Sequence, residues 1–334
     1  MRDKSSVTRS GAVTGVVLGL LGVVSFSMSL PATRIAVGDL DAWFVAFGRA
    51  VGAGLLACGY LAVTRAPRPS REQWRRLAVV ALGVVVGFPL FTSLALVTST
   101  ASHGAVVVGL LPAITAGFAV LRSGERPARA FWVAGGAGLA AVLVFLVASG
   151  AVRGAVGPAD LFLLAAVTLC GLGYAEGGAL ARDLGGARTI CWALVLSLPV
   201  TVAVTVVSAW RQPPHASAGA WAGFAYLTVV SMFLGFFAWY SGLARGGVAK
   251  IGQLQLSQPV LTLAWSALLL HESVPPGAVA AAVVVLVCVA LTQRLRAGSA
   301  PSPAAPAVPA SPAASASGVS RRVDDIGRYA TDLR

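Results

Sequence analysis

The sequence predicts an all-α integral membrane protein of ten transmembrane helices, built as two inverted five-helix repeats. Three observations carry that prediction. Of the 334 residues, 11% are charged and 57% are hydrophobic, whereas an ordinary soluble domain has about 25% charged residues. The cations between the apolar runs fall 21 to one side and 3 to the other. A shift of 147 residues lays part of the chain on itself without a gap.

The charge deficit excludes whole classes. A soluble chain of this length must coat its surface with Lys, Arg, Asp and Glu, and this one has too few. A soluble enzyme, a nucleic-acid binder and a disordered chain are therefore excluded. The mean hydropathy of +0.82 agrees. The net charge of +13 resembles a nucleic-acid signal, but these cations sit singly or in short groups between apolar runs. That spacing reads as topology, with the lipid bilayer and not nucleic acid as partner.

A span needs about 20 mostly apolar residues. Helix 1 is predicted over 10–33 and helix 2 over 42–64, broken only by Arg49. The run 77–121 is long enough for helices 3 and 4, with a turn near 99–103. Helix 5 covers 130–152, helix 6 covers 161–181 with Glu176 inside it, and helix 7 covers 189–210. Helices 8, 9 and 10 follow over 221–243, 249–270 and 274–293. The first run is too long for the h-region of a signal peptide, about 7–15 residues, so it is read as a retained helix.

The cation split predicts that both termini are cytoplasmic, in a multi-pass protein of the cell membrane. Trp43, Trp74, Trp132, Trp192, Trp210 and Trp221 fall near helix ends, where an interfacial belt is expected. Cys58, Cys170, Cys191 and Cys288 lie in apolar runs without a C-x-x-C pair, and read as small buried hydrophobes. Residues 295–334 form a cytoplasmic tail rich in Ala, Pro and Ser, expected to be disordered.

The internal repeat places residues 91–127 on 238–274. Leu96 meets Leu243, Pro112 meets Pro259, Thr115 meets Thr262, Leu121 meets Leu268 and Glu125 meets Glu272. Residues 1–10 then form the N-terminus, 11–152 the first repeat and 153–294 the second. Five helices per repeat is odd, so the second copy enters the membrane in the opposite sense.

These motifs resemble the EamA-type branch of the drug/metabolite transporter superfamily. The resemblance rests on Leu111-Pro112-Ala113 with Gly124-Glu125-Arg126-Pro127 in the first copy. In the second it rests on Gln258-Pro259-Val260 with His271-Glu272-Ser273, and Gly48-Arg49-Ala50 in helix 2 adds to it. It covers about residues 11–294. Phe26-Ser27-Met28-Ser29 stands where many members carry Trp, and His271 where Gly is usual. The resemblance implies a transporter with a central cavity between its halves, often an exporter of amino acids or other metabolites.

Two charges lie inside predicted spans, where each costs roughly 3 kcal/mol if unpaired. Glu176, set among glycines, is a candidate for proton coupling or for binding a cationic group; the alternatives are a structural hydrogen bond or snorkelling to the inner interface. Arg49 is a candidate for holding a substrate carboxylate or for a structural ion pair. A direct Arg49–Glu176 pair is not expected, because their depths differ by about 12 Å in a core about 30 Å thick. Gln255 and Gln258 share a helix face and read equally as a polar site or as glue between helices. Pro112 and Pro259 sit mid-helix, where each removes a backbone hydrogen bond and kinks the helix. Trp239, Tyr240 and Trp265 are candidates for the cavity wall, against plain packing.

No phosphate-cradling loop, metal-ligand spacing or nucleophile–base motif is present, and no cofactor is expected. The sequence thus predicts a secondary transporter of a small-molecule substrate, with protons as the candidate coupling ion. A membrane-embedded enzyme and a non-transporting membrane sensor are the rivals.

Overall fold

The computed structural model describes residues 4–123, 132–133, 136–137, 140 and 157–271. Five of those positions touch predicted helix 5. Helix 10 and the tail lie outside the described residues.

Helix 1 runs Lys4–Ser27 and continues, past a turn at Met28, as Ser29–Asp39. Helix 2 is Ala42–Val63 and begins at Asp41, whose carboxylate accepts from the amides of Trp43 and Phe44 at 3.1 and 3.0 Å. Helix 3 begins at Ser70, which forms a capping box with Gln73, and it ends at Thr98. Helix 4 follows Ser99–Thr100, the turn expected from sequence. Helix 6 is Pro158–Leu184 and helix 7 is Gly186–Arg211. They meet at Gly185, whose φ of +85° suits a residue without Cβ. Helix 8 starts after Ser217 and ends at Gly246; helix 9 occupies Val248–Leu270 in three pieces. Among the described residues, six helices are long and apolar enough to cross a membrane.

The repeat is written into the irregularities. Helix 3 carries a π-helical turn at Ala81–Gly87, and helix 8 carries one at Leu227–Leu234. The Ser caps of these helices, Ser70 and Ser217, are separated by the same 147 residues as the sequence match. Helix 4 breaks between Ala101–Val108 and Leu111–Ser123. Helix 9 breaks at the matching place, where Gln253–Ser257 is 3₁₀-helical and Gln258–Leu270 resumes the α-helix. The prolines therefore do not sit in helix interiors. Pro112 and Pro259 are each the second residue of a restarting helix, where a missing N–H is tolerated. The interruption comes just before them, at Gly109–Leu110 and at the 3₁₀ turn.

Packing follows the same symmetry. Ala101–Val108 lies against Gln258–Leu270, and Leu111–Ser123 lies against Val248–Gly252, so helices 4 and 9 run antiparallel. Helix 1 packs antiparallel on helix 8 in the same manner. Their backbones touch: a Cβ on Gly15 would stand 3.0 Å from the Gly246 nitrogen, and one on Gly242 would stand 2.8 Å from the Gly19 nitrogen. Small residues four apart on both helices allow this approach.

The outward surface is apolar. Leu55, Val63, Val206 and Trp210 are all exposed, a pattern suited to lipid contact. Trp43, Trp132, Trp210 and Trp221 are also exposed, as belt residues would be. Trp74 and Trp192 instead pack edge to face on each other, 5.4 Å between centroids, because helices 3 and 7 bring them together. Cys170 and Cys191 are buried, whereas Cys58 faces outward from helix 2 and Cys288 is outside the described residues.

Candidate functional site

Seven helices converge on a central cavity of about 20 Å³, room for a single water. Its wall includes Phe26, Ser29, Arg49, Cys170, Tyr174 and Gln258. Arg49 is 2% exposed, and its Nε makes no hydrogen bond within the described residues. Gly48 and Gly52 hold helix 2 close to helix 8: a Cβ on Gly52 would meet the Thr228 methyl at 2.6 Å. That close fit fixes the level at which Arg49 enters the cavity. Ser29 and Ser231 share a hydrogen bond of 2.7 Å at its wall.

The glutamines add acceptors. Gln258 lines the cavity, and its Oε1 has no partner among the described residues. Gln255 is buried with both side-chain polar atoms unpartnered, and so is the Gln253 Oε1. The 3₁₀ geometry, three residues per turn, stacks Gln255 and Gln258 on one side. Buried polar groups left without partners cost roughly 1–3 kcal/mol each. A bound ligand or water that satisfies them recovers that cost.

Trp239, Tyr240 and Trp265 do not line this cavity. Trp239 is fully buried among Phe26 and Tyr174, with ring centroids 6.1 and 5.3 Å away. Tyr240 donates to the Gly173 carbonyl at 3.1 Å and rests on Gly177, where a Cβ would collide with its ring. Trp265 donates to Ser27 Oγ at 3.0 Å. All three support the wall from behind, and the glycines around Glu176 make room for Tyr240.

Glu176 lies elsewhere and is not alone. It is 3% exposed, and each carboxylate oxygen takes a different arginine. Arg76 Nε donates to Oε1, and Arg122 Nε donates to Oε2 at 3.0 Å. Arg76 comes from the start of helix 3 and Arg122 from the end of helix 4. The three residues border an open vestibule of about 590 Å³ together with Glu72, Arg182 and Asp183. Sequence reasoning read both arginines only as topology markers. Their position was the available signal: Arg76 immediately precedes the apolar run 77–121 and Arg122 immediately follows it. As expected from depth, Glu176 and Arg49 do not pair.

At the opposite end of helix 6, Asp160 caps the helix start by accepting from the Gly157 amide at 2.8 Å. The same side chain pairs with His103 Nε2 at 2.6 Å. Helices 4 and 6 are therefore tied by a carboxylate contact at both ends.

Comparison with known proteins fits this architecture. Residues 13–147 and 157–294 each match the EamA-like transporter family. The "Uncharacterized transporter YdeK" of Bacillus subtilis (strain 168) is 45% identical over 280 residues, covering 84% of this chain and 97% of the relative. One crystal structure superposes with a TM-score of 0.68 at 17% identity, over 84% of this chain and 98% of that one; this likeness concerns the fold alone. The chain belongs to the EamA-like transporter family, within the drug/metabolite transporter superfamily, and is a multi-pass membrane protein.

Proposed function

We propose that the protein is a secondary-active exporter of a small carboxylate-bearing metabolite, such as an amino acid, working by alternating access. Arg49 is the observation that carries this reading. A buried guanidinium whose Nε has no partner among the described residues is chemically suited to a carboxylate, and the Gln258 oxygen in the same cavity suits an ammonium or hydroxyl group. The cavity is too small for any metabolite in this conformation, so loading requires the surrounding helices to part. The breaks in helices 4 and 9 offer places for that motion.

The 21-to-3 cation split supports a plasma-membrane orientation with both termini and the arginine-bordered vestibule in the cytoplasm. Protons are the coupling ion in this reading. A proton on Glu176 would discharge the carboxylate that Arg76 and Arg122 hold, linking protonation to the contact between helices 3, 4 and 6.

The test is counterflow in proteoliposomes with a panel of amino and organic acids. Arg49→Gln is expected to reduce carboxylate flux by about tenfold to a hundredfold, the effect of one lost charge-assisted contact. Undiminished carboxylate flux in that variant would overturn the reading. Flux driven by a pH gradient that is the same in Glu176→Gln would remove the proton from it.

A further inference from the structure

We propose that Arg76 and Arg122 form an anion-capture site at the cytoplasmic mouth, with Glu176 as the built-in competitor that occupies it at rest. The proposal rests on the reading above, in which the cargo carries a carboxylate and the vestibule faces the cytoplasm.

The geometry points to exchange and not to a permanent bridge. Each arginine binds Glu176 through Nε alone. The Nη groups of both, four N–H donors per guanidinium pair of nitrogens, have no partner among the described residues. Glu176 is sealed from solvent at 3% exposure, but Arg76 and Arg122 are 26% and 46% exposed. Glu176 is therefore the sealed member of the cluster, and the two arginines are its exposed members at the vestibule of about 590 Å³. A small anion can settle on the outer edges of the two guanidiniums before it displaces Glu176 from the inner edges. The displacement replaces one carboxylate by another on the same donors, and the released Glu176 carboxylate then turns to the water of the vestibule that it also borders.

Position along the chain supports the same route. Cys170, in the wall of the central cavity beside Arg49, is six residues from Glu176 on helix 6, a rise of about 9 Å. The helix 6 residues that border the two arginine sites thus stand about 9 Å apart along that helix. Displacing Glu176 also unties helix 6 from helices 3 and 4 at this end, so arrival of the anion is coupled to opening of the mouth. The repeat shows that this is not a requirement of the fold: at the offset of 147, Glu176 falls on Ser29 of the first half and Arg122 on Leu269 of the second.

The experiment uses the full-length chain in proteoliposomes with Cys58 and Cys288 replaced by Ser and an environment-sensitive thiol label at Ala179→Cys, a position lining the vestibule. The probe is succinate, titrated at constant ionic strength. A saturable response is expected. Glu176→Gln should lower the half-saturating concentration about tenfold, because the competitor loses its charge, and Arg122→Gln should raise it about tenfold or more. An unchanged or raised value in Glu176→Gln, or an unchanged value in Arg122→Gln, overturns the proposal. If the buried Glu176 variant does not fold, Arg122→Gln decides alone, since its side chain is nearly half exposed.

Two arms separate the alternatives. Liposomes of phosphatidylcholine alone are compared with liposomes containing phosphatidylglycerol. An identical succinate response supports a soluble anion; a label already saturated by the anionic lipid, with no succinate response left, assigns the site to a headgroup and overturns the proposal. Arg49→Gln should reduce counterflow by about tenfold or more and leave the succinate titration in place. Counterflow undiminished in Arg49→Gln sinks the central-site reading while the titration still decides the mouth site.

Discussion

Helix 4 meets helix 6, and helix 9 meets helix 1, in junctions that correspond across the repeat. The first is terminal and built on carboxylates: His103–Asp160 at one end and Arg122–Glu176 at the other. Two described bonds of the second are neutral and central. Thr262 Oγ1 donates to the Ser27 carbonyl at 2.7 Å, and Trp265 Nε1 donates to Ser27 Oγ at 3.0 Å. Charged groups at a mouth meet ions from solution, whereas hydrogen bonds within the apolar layer are insulated from them. One fold thus holds an ion-sensitive junction and an ion-insensitive one at equivalent places.

Four substitutions break or sharpen this contrast, read by thermal melting of the full chain in detergent. Glu176→Ala has the largest expected effect. It leaves two guanidiniums facing each other without their anion, which costs about 3–5 kcal/mol in a fully buried pair. Because both arginines reach solvent, about 2–3 kcal/mol is expected here. An unchanged melting temperature would mean that the pair is absent in solution. Gly177→Ala comes next, at about 1–3 kcal/mol, since its Cβ enters the Tyr240 ring. Thr262→Val should cost about 1 kcal/mol and lose the bond to Ser27. Asp160→Asn should cost about 0.5 kcal/mol or less, the scale of a partly exposed pair. Repeating the series in high salt sharpens the comparison. The penalties at Glu176 and Asp160 should shrink and that at Thr262 should not. Equal salt dependence at all three positions would erase the distinction between the junctions.

Much of the fold was legible because lipid imposes a simple rule on composition. Length, charge deficit and the match at 147 led to the helices described and to the repeat that relates them. The turn before helix 4 lies where the polar residues Ser99 to His103 interrupt the apolar run. The interruptions were read less well. Pro112 and Pro259 marked the right places, but the breaks precede them, since a proline begins a helix more easily than it continues one. Neither π turn left a mark in composition, because one extra residue in an apolar run changes no pattern of charge.

The candidate site divides the same way. Arg49 stood out as a cation inside a span, and the structure puts it in the cavity wall. Glu176 stood out for the same reason, but its partners did not. Arg76 and Arg122 stand among other arginines at the edges of the apolar run 77–121, so composition could not single them out. Trp239, Tyr240 and Trp265 illustrate the opposite limit. A large aromatic in a helix is equally suited to lining a cavity and to backing its wall, and only packing decides between them.

The two π turns also carry history. The matched Ser caps before them and the matched prolines after them keep one offset on both sides. An insertion made in one half alone would have slipped that offset by a residue on crossing the turn. The extra residue is therefore accounted for by a single event in an ancestral half, copied whole when the gene doubled. Glu176 and Arg122 have no charged counterparts in the repeat, so the two halves share their backbone shape and differ in the charge they carry.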